Sequence, residues 1–343
     1  MFLNRHNTLL LGVCSLVTLL AFLSCKRAAD VGDNGVFRVN LGTEPPSLDW
    51  SLATDHVSFN VIANLMVGLT EFDRELKPAP VVAKSWQIQE GGKKIVFYLR
   101  DDVLWTDGQK VRAQDFEYSW KRLLDPKTAS EYAYMLFDIV NAEAYNQGKI
   151  TDEALVGVRA LDDWTLGVRL KGPVSYFVAT TTFEVTYPQR KDIIEKFGSR
   201  WTEPGNIVTN GPFMLTSWQH ENMIELRANP NFFLGKPAID RVEMFMINET
   251  TTALGMYEQG HLDFIDNHSI PILEKPRLAK SPGFKAVAQL RGYYYGFVTD
   301  RKPFNDVRVR KAFALAIDRS VFPKILHGRE LPASCWIPPG MLA

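Results

Sequence analysis

The hydrophobic pattern of the chain changes period once within residues 95–124. Ile95, Val96, Phe97, Tyr98 and Leu99 are β-branched, aromatic or aliphatic in an unbroken run, which predicts a strand. Trp105-Thr106-Asp107-Gly108 follows and predicts a turn, because its Gly can take positive φ. From Ala113 onward Phe116, Trp120, Leu123 and Leu124 fall at i, i+4, i+7 and i+8, one stripe of an amphipathic helix, with Glu117, Lys121 and Arg122 mostly off it. A strand, turn and helix of this kind occur in many folds and carry no chemistry of their own.

The same reading extends in both directions. Residues 35–49 predict a strand ending at Gly42 and then a Pro-bounded loop holding Glu44. Residues 59–69 predict a helix with Phe59, Ile62, Ala63 and Met66 on its apolar face, stopped at Gly68. Residues 125–143 read as a loop and helix carrying Tyr132, Tyr134 and Phe137, aromatic spacing that usually belongs to a core. A hairpin over 158–170 turns at Asp162-Asp163, and Gly172-Pro173 opens the next helix. Residues 197–218 place Pro204-Gly205 and Asn210-Gly211-Pro212 around short strands, and a polar hairpin covers 218–226. A strand over 239–247, a helix over 253–260 bearing Tyr257, and then Leu262-Asp263-Phe264 make a βαβ crossover, hence a mixed α/β lobe. Tyr293, Tyr294 and Tyr295 alternate faces on a predicted strand, so at least one ring can face a cleft. Asn305 or Asp306 caps a last helix with Val309, Ala312, Phe313 and Ala316 as its stripe.

Composition narrows the function. The 343 residues are 46% hydrophobic and 12% aromatic, enough for about two domains with real cores at roughly 150 residues each. Residues 1–24 hold one Arg, an apolar run too short for a membrane span, and Ser24 before Cys25, the pattern of a secretory signal peptide. The chain has 39 Lys+Arg against 39 Asp+Glu, and losing residues 1–24 removes only Arg5, leaving 38 against 39. A near-neutral balance argues against a nucleic-acid partner. With Cys14 in the signal and Cys25 at its end, Cys335 stands alone and no disulfide framework is possible. His6, His56, His220, His261, His268 and His327 make no H-E-x-x-H and no Cys/His ligand spacing, and there is no G-x-S-x-G elbow or phosphate loop. Carboxylates are plentiful but ungrouped. The residues therefore read as a binding protein that needs no cofactor or metal, not as an enzyme.

The wording of several blocks is more specific than their physics. L-R-D-D-V-x-W-T-D-G-x-x-V-x-A-x-D-F-x-Y-S-W over 99–120, G-x-E-x-x-S-L-D over 42–49 and F-N-D-V-R-V-R-x-A-x-x-x-A-I-D-R over 304–319 resemble the oligopeptide-binding proteins of ABC importers, solute-binding protein family 5. The resemblance runs from about Phe37 to Ala343. It implies a periplasmic-binding-protein-like mixed sheet lobe (residues 25–56 and 190–290), an inserted α+β domain (57–189) and the beginning of a second lobe (291–343), most of which is absent. It implies short peptides held in extended form, with Glu44, Tyr132, Tyr257 and Tyr294 as candidate contacts, and delivery to a permease driven by ATPase subunits. Relatives carrying nickel, haem or cell-wall peptides keep other ligands open, as does a truncated, weakly binding product. Ser24-Cys25 resembles a lipobox, which implies a lipid anchor on Cys25 and a periplasmic or cell-surface location, although Phe22 and Leu23 are not its preferred residues. Arg112 departs from the family's Thr or Ser helix cap; the cost is about 1 kcal/mol unless Gln114 or Asp115 supplies the acceptor.

Overall fold

The computed structural model describes residues 35–287, 292–328, 330–333 and 335–337. Its first sheet takes strands from two distant parts of the chain. β1 (Val36–Asn40) lies parallel to β10 (Arg241–Phe245), which is antiparallel to β9 (Met223–Ala228), itself antiparallel to β8 (Phe213–Gln219), giving the order β1-β10-β9-β8. After β10 the helix Thr250–Glu258 crosses over, and Phe264 bridges Val39 in parallel on the free side of β1. The predicted crossover is thus present, and the lobe is mixed α/β.

Between β1 and β8 the chain builds a second sheet. Helix α1 (His56–Leu65) leads to a ribbon of β2 (Thr70–Phe72) and β3 (Pro78–Pro80), then to an antiparallel sheet in the order β4-β5-β7-β6. Its strands are β4 (Ala83–Gln89), β5 (Lys94–Leu99), β6 (Val158–Asp162) and β7 (Thr165–Arg169). Helix α2 (Ala113–Leu124) lies against β6 and β7. The stripe read from sequence is the one buried: Phe116, Trp120, Leu123 and Leu124 are each fully covered, as are Ile95, Phe97 and Leu99 of β5. Each such side chain contributes on the order of 2 kcal/mol through burial, so this layer supplies much of the driving force.

Helix α1 begins three residues earlier than the pattern predicts, because Asp55 caps it by accepting from the Ser58 N–H at 2.9 Å. Its buried face is Val57, Ser58, Val61, Ile62 and Leu65, while Ala63 points to water. Helix α2 also finds its acceptor. Asp115, not Arg112, takes the N-terminal role: its Oδ2 accepts the Arg112 N–H at 2.9 Å, and the Asp163 carbonyl accepts the Ala113 N–H at 2.9 Å.

Two expectations fail in the last segment. Residues 292–298 form no strand, since no described strand runs beside them to complete a ladder, and Tyr293, Tyr294 and Tyr295 are all exposed. Helix Val307–Ala316 forms, capped by Asp306 on the Arg308 N–H at 2.8 Å, but none of its residues is buried. Phe313 instead joins a small cluster with Phe297 and Phe304.

Asn210-Gly211, just before β8, is bound to the end of α1 and the residues after it. The Asn210 side chain bonds both the N–H and the carbonyl of Val67, at 3.0 and 3.1 Å, and the Gly211 N–H donates to the Leu65 carbonyl at 2.9 Å. A Cβ on Gly211 would lie 2.5 Å from backbone atoms of Leu65. Gly211→Ala is therefore expected to destabilise the chain by about 1–3 kcal/mol, and Gly172→Ala, whose Cβ meets nothing, by under about 0.5 kcal/mol. Urea unfolding midpoints check this, and equal midpoints for the two variants would refute the close approach.

Candidate functional site

The carboxyl ends of the parallel strands in an open α/β sheet are where loops gather and ligands bind. Here Asn40, the last residue of β1, organises that edge. Its Nδ2 donates to the Ile247 carbonyl and to Ser269 Oγ, both at 3.0 Å, while its Oδ1 accepts the N–H groups of Gly42 and Ile247, both at 3.0 Å. One amide thus ties together the loops after β1, after β10 and after Phe264.

Glu44 sits on the first of these loops. Its Oε1 lies 2.8 Å from Nδ1 of His220, and its Oε2 accepts the Glu221 N–H at 2.6 Å. Glu221, in the turn between β8 and β9, is held at φ 59°, and Glu44 satisfies its N–H there. His220 is more than half exposed and also approaches Glu203, at 3.9 Å. Glu44 is therefore an anchored, half-buried carboxylate at the strand ends, not a free loop acid.

The other three candidates lie elsewhere. Tyr132 is half-buried in an aromatic group with Phe59, Phe183 and Tyr134, at ring distances of 6.1, 5.3 and 6.1 Å. Tyr257 is half-buried on the crossover helix, its hydroxyl 3.6 Å from where a Cβ on Gly283 would stand. Tyr294 is 63% exposed and packs on Trp336 at 4.4 Å. Among the described residues, no hydrogen bond or ring contact joins any two of the four. Cys25 lies outside the described residues.

Sequence reasoning missed the polar node beneath this edge. Arg122 of α2 grips Asp49 with both ends of its guanidinium, Nη1 to Oδ1 at 2.9 Å and Nη2 to Oδ2 at 2.6 Å. The same carboxylate accepts Trp201 Nε1 at 3.2 Å, Gln189 Nε2 at 3.4 Å and the Ser51 N–H at 3.0 Å. The pair is mostly buried, with side chains 16% and 8% exposed. Its partners are 73 residues apart, so no local spacing could announce it.

The signature string proves to be a set of joints. Trp105 Nε1 donates to Asp115 at 3.1 Å, Thr106 exchanges bonds with Thr209 at 2.8 and 3.0 Å, and Asp107 accepts Arg190 Nη1 at 2.8 Å. Burial pushes the Asp115 carboxyl up to about 6 from 3.8, against the pull of the Arg112 N–H, the Trp105 indole and the Arg190 charge.

A mixed α/β sheet and an antiparallel sheet with its helix are thus held together by such joints, with loops gathered at the strand ends of the first. The comparisons carry this further: the chain belongs to the bacterial extracellular solute-binding proteins, family 5, whose model matches residues 77–343. It is 38% identical over 310 residues to the oligopeptide-binding protein OppA of Bacillus subtilis, covering 88% of this chain and 56% of that one. It is 35% identical to the probable deoxycholate-binding periplasmic protein YgiS of Escherichia coli, covering 91% and 60%. Among solved structures, Burkholderia pseudomallei OppA superposes with a TM-score of 0.83 at 33% identity, over 90% of this chain and 61% of that one. Haemophilus influenzae OppA in complex with RPPGFSPFR superposes with a TM-score of 0.78 at 31% identity, over 85% and 58%. The chain thus spans between half and two thirds of the length of these relatives.

The raised Asp115 pKa sets a pH dependence. The folded chain holds a proton on Asp115 that the unfolded chain has released, so between about pH 4 and about pH 6 its contribution to stability falls as pH rises. Above about pH 6 both states are ionised and the dependence ends. The difference between wild type and Asp115→Asn in urea midpoint should change across that window and be flat above it. A constant difference would show that Asp115 titrates normally.

Proposed function

We propose that this chain is the extracytoplasmic peptide-binding component of an ABC importer, taking short peptides in extended form and presenting them to a permease energised by ATPase subunits. In this reading it catalyses nothing. Residues 1–24 are a signal peptide, 25–56 with 190–290 the first lobe, 57–189 an inserted domain, and 291–343 the beginning of a second lobe. Family membership over residues 77–343 is the observation that carries the reading.

The edge geometry is compatible with it. Glu44 has one oxygen committed to backbone at Glu221 and one on the exposed His220 side chain. An exposed pair of that kind contributes about 1 kcal/mol or less, so a peptide amino group can replace His220 without unseating the carboxylate. Backbone bonding then supplies affinity with loose sequence preference. Tyr132, Tyr257 and Tyr294 are proposed as the remaining contacts.

Calorimetric titration with tri- to pentapeptides tests this. Tyr294 lies exposed and none of the four candidates touches another, so a peptide would meet them singly, each hydrogen bond contributing about 1 kcal/mol net. This polypeptide is expected to bind with a Kd of about 100 µM or weaker, scrambled sequences falling within about tenfold of one another. Binding of deoxycholate without any response to peptides would overturn the peptide reading.

Cys25 is proposed as a lipidated N-terminus. No described helix is long and apolar enough to cross a membrane. Cys25→Ala should move the protein from the membrane fraction to the soluble one. Absence of labelled fatty acid from the wild type would refute the anchor.

A further inference from the structure

The histidines show no metal-ligand spacing in sequence, yet the fold brings two of them beside a carboxylate. His56 opens α1, and Asp266 and His268 lie on the loop after Phe264, at opposite ends of residues 57–265. One ligand atom from each of the three lies within 4.8 Å of the others. The imidazole centroids are 4.9 Å apart and tilted by 42°, so the rings converge without stacking flat.

The carboxylate is fixed by its surroundings. Asp266 Oδ1 accepts the N–H groups of His268 and Ser269 and the Ser269 hydroxyl, all at 3.0 Å, and Ser269 Oγ in turn accepts from Asn40. Those bonds fall on Oδ1, and among the described residues none falls on Oδ2, which is left for an outside partner. Both histidines are exposed and can turn.

We propose that His56, Asp266 and His268 form a binding site for a divalent transition-metal ion, zinc, cobalt or nickel. Two imidazoles and one carboxylate suit these ions and not magnesium or calcium, which prefer all-oxygen sites. Tetrahedral coordination at metal–nitrogen distances near 2.0–2.1 Å brings ligand atoms to about 3.3 Å of one another, so rotation of the two exposed rings completes the site. Three protein ligands leave one position for water or an incoming group. The ion would staple the start of α1 to the loop that Asn40 holds at the strand ends, the edge where Glu44 also sits.

The test is titration of the tag-free chain with cobalt(II), followed by visible d–d absorption, and with zinc(II) by competition against it. Wild type should develop the bands of a low-coordinate nitrogen and oxygen site at one equivalent, and magnesium should not displace the ion. His56→Ala and His268→Ala should each weaken cobalt binding by more than about tenfold, whereas His261→Ala, an exposed histidine outside the cluster, should leave it unchanged. Far-UV circular dichroism confirms that the variants fold, and since both side chains are exposed no loss of fold is expected. No cobalt bands in wild type would overturn the site. So would wild-type cobalt affinity in the His56 or the His268 variant, or an equal loss in the His261 variant.

Discussion

The fold depends on one buried charge pair. Asp49 follows the strand that founds the first sheet, Arg122 closes the helix that covers the second, and their bidentate contact with Gln189 and Trp201 joins the chain on its way out to its way back. Removing one partner of such a pair costs about 3–5 kcal/mol, because the other charge stays buried without compensation. A domain is stable by only about 5–15 kcal/mol in total, so this single contact can decide whether the two units stay registered. Trp50 strengthens the node from the apolar side, its ring edge-on to Trp201 at 4.9 Å and its Nε1 on the Tyr187 carbonyl at 3.2 Å.

Around that node the returning segment is held by indoles and hydroxyls, not by strand pairing. Ser119 donates to the Tyr187 carbonyl at 2.6 Å and Trp120 Nε1 to the Thr186 carbonyl at 2.7 Å. Residues 186–187 are thereby satisfied without a ladder, which lets the chain pass between sheets while its buried carbonyls stay paired. Arg190 then pins the W-T-D-G turn through Asp107 and holds its own neighbour Asp192 with two bonds of 2.7 and 2.6 Å. The joint is polar and directional, which fixes one arrangement where apolar packing alone would tolerate several.

Residue type and periodicity made β5, the β6–β7 hairpin and α2 legible, because β-branched runs, turn residues and a 3.6-residue stripe are local signals. Phe116 and Trp120, on the stripe that the pattern marks, are both fully buried. The wording of the signature pointed to a family, yet not to the reason for each letter: Asp115 was legible as a helix-start acceptor, but its second donor, Trp105, and the Arg190 partner of Asp107 were not. Long-range partners leave no such trace: nothing near Asp49 in sequence indicates Arg122, and nothing near His56 indicates His268. The Tyr293–Tyr295 alternation misled for a related reason. Pattern reports which side chains could share a face, and a strand also requires a neighbour, which no described strand supplies there. Helix Val307–Ala316 teaches the same point, since its cap and stripe were both legible while its burial was not.

The contrast between joint and edge bears on how a ligand could be taken up. At the joint, charges are buried and paired by two bonds, so exchange with water is costly. At the strand ends the Glu44–His220 pair is exposed, and one of its two partners is a side chain that can leave at little cost. In the proposed reading Asn40 would keep the loops in place during such an exchange, because the four bonds of its side chain run to backbone or to Ser269 and none depends on Glu44. The amide, at the end of β1, and the labile carboxylate pair, on the loop that follows, stand four residues apart. A site so built can admit a charged group without first unfolding the loop that carries it, and that separation of support from contact is what a reversible binder needs.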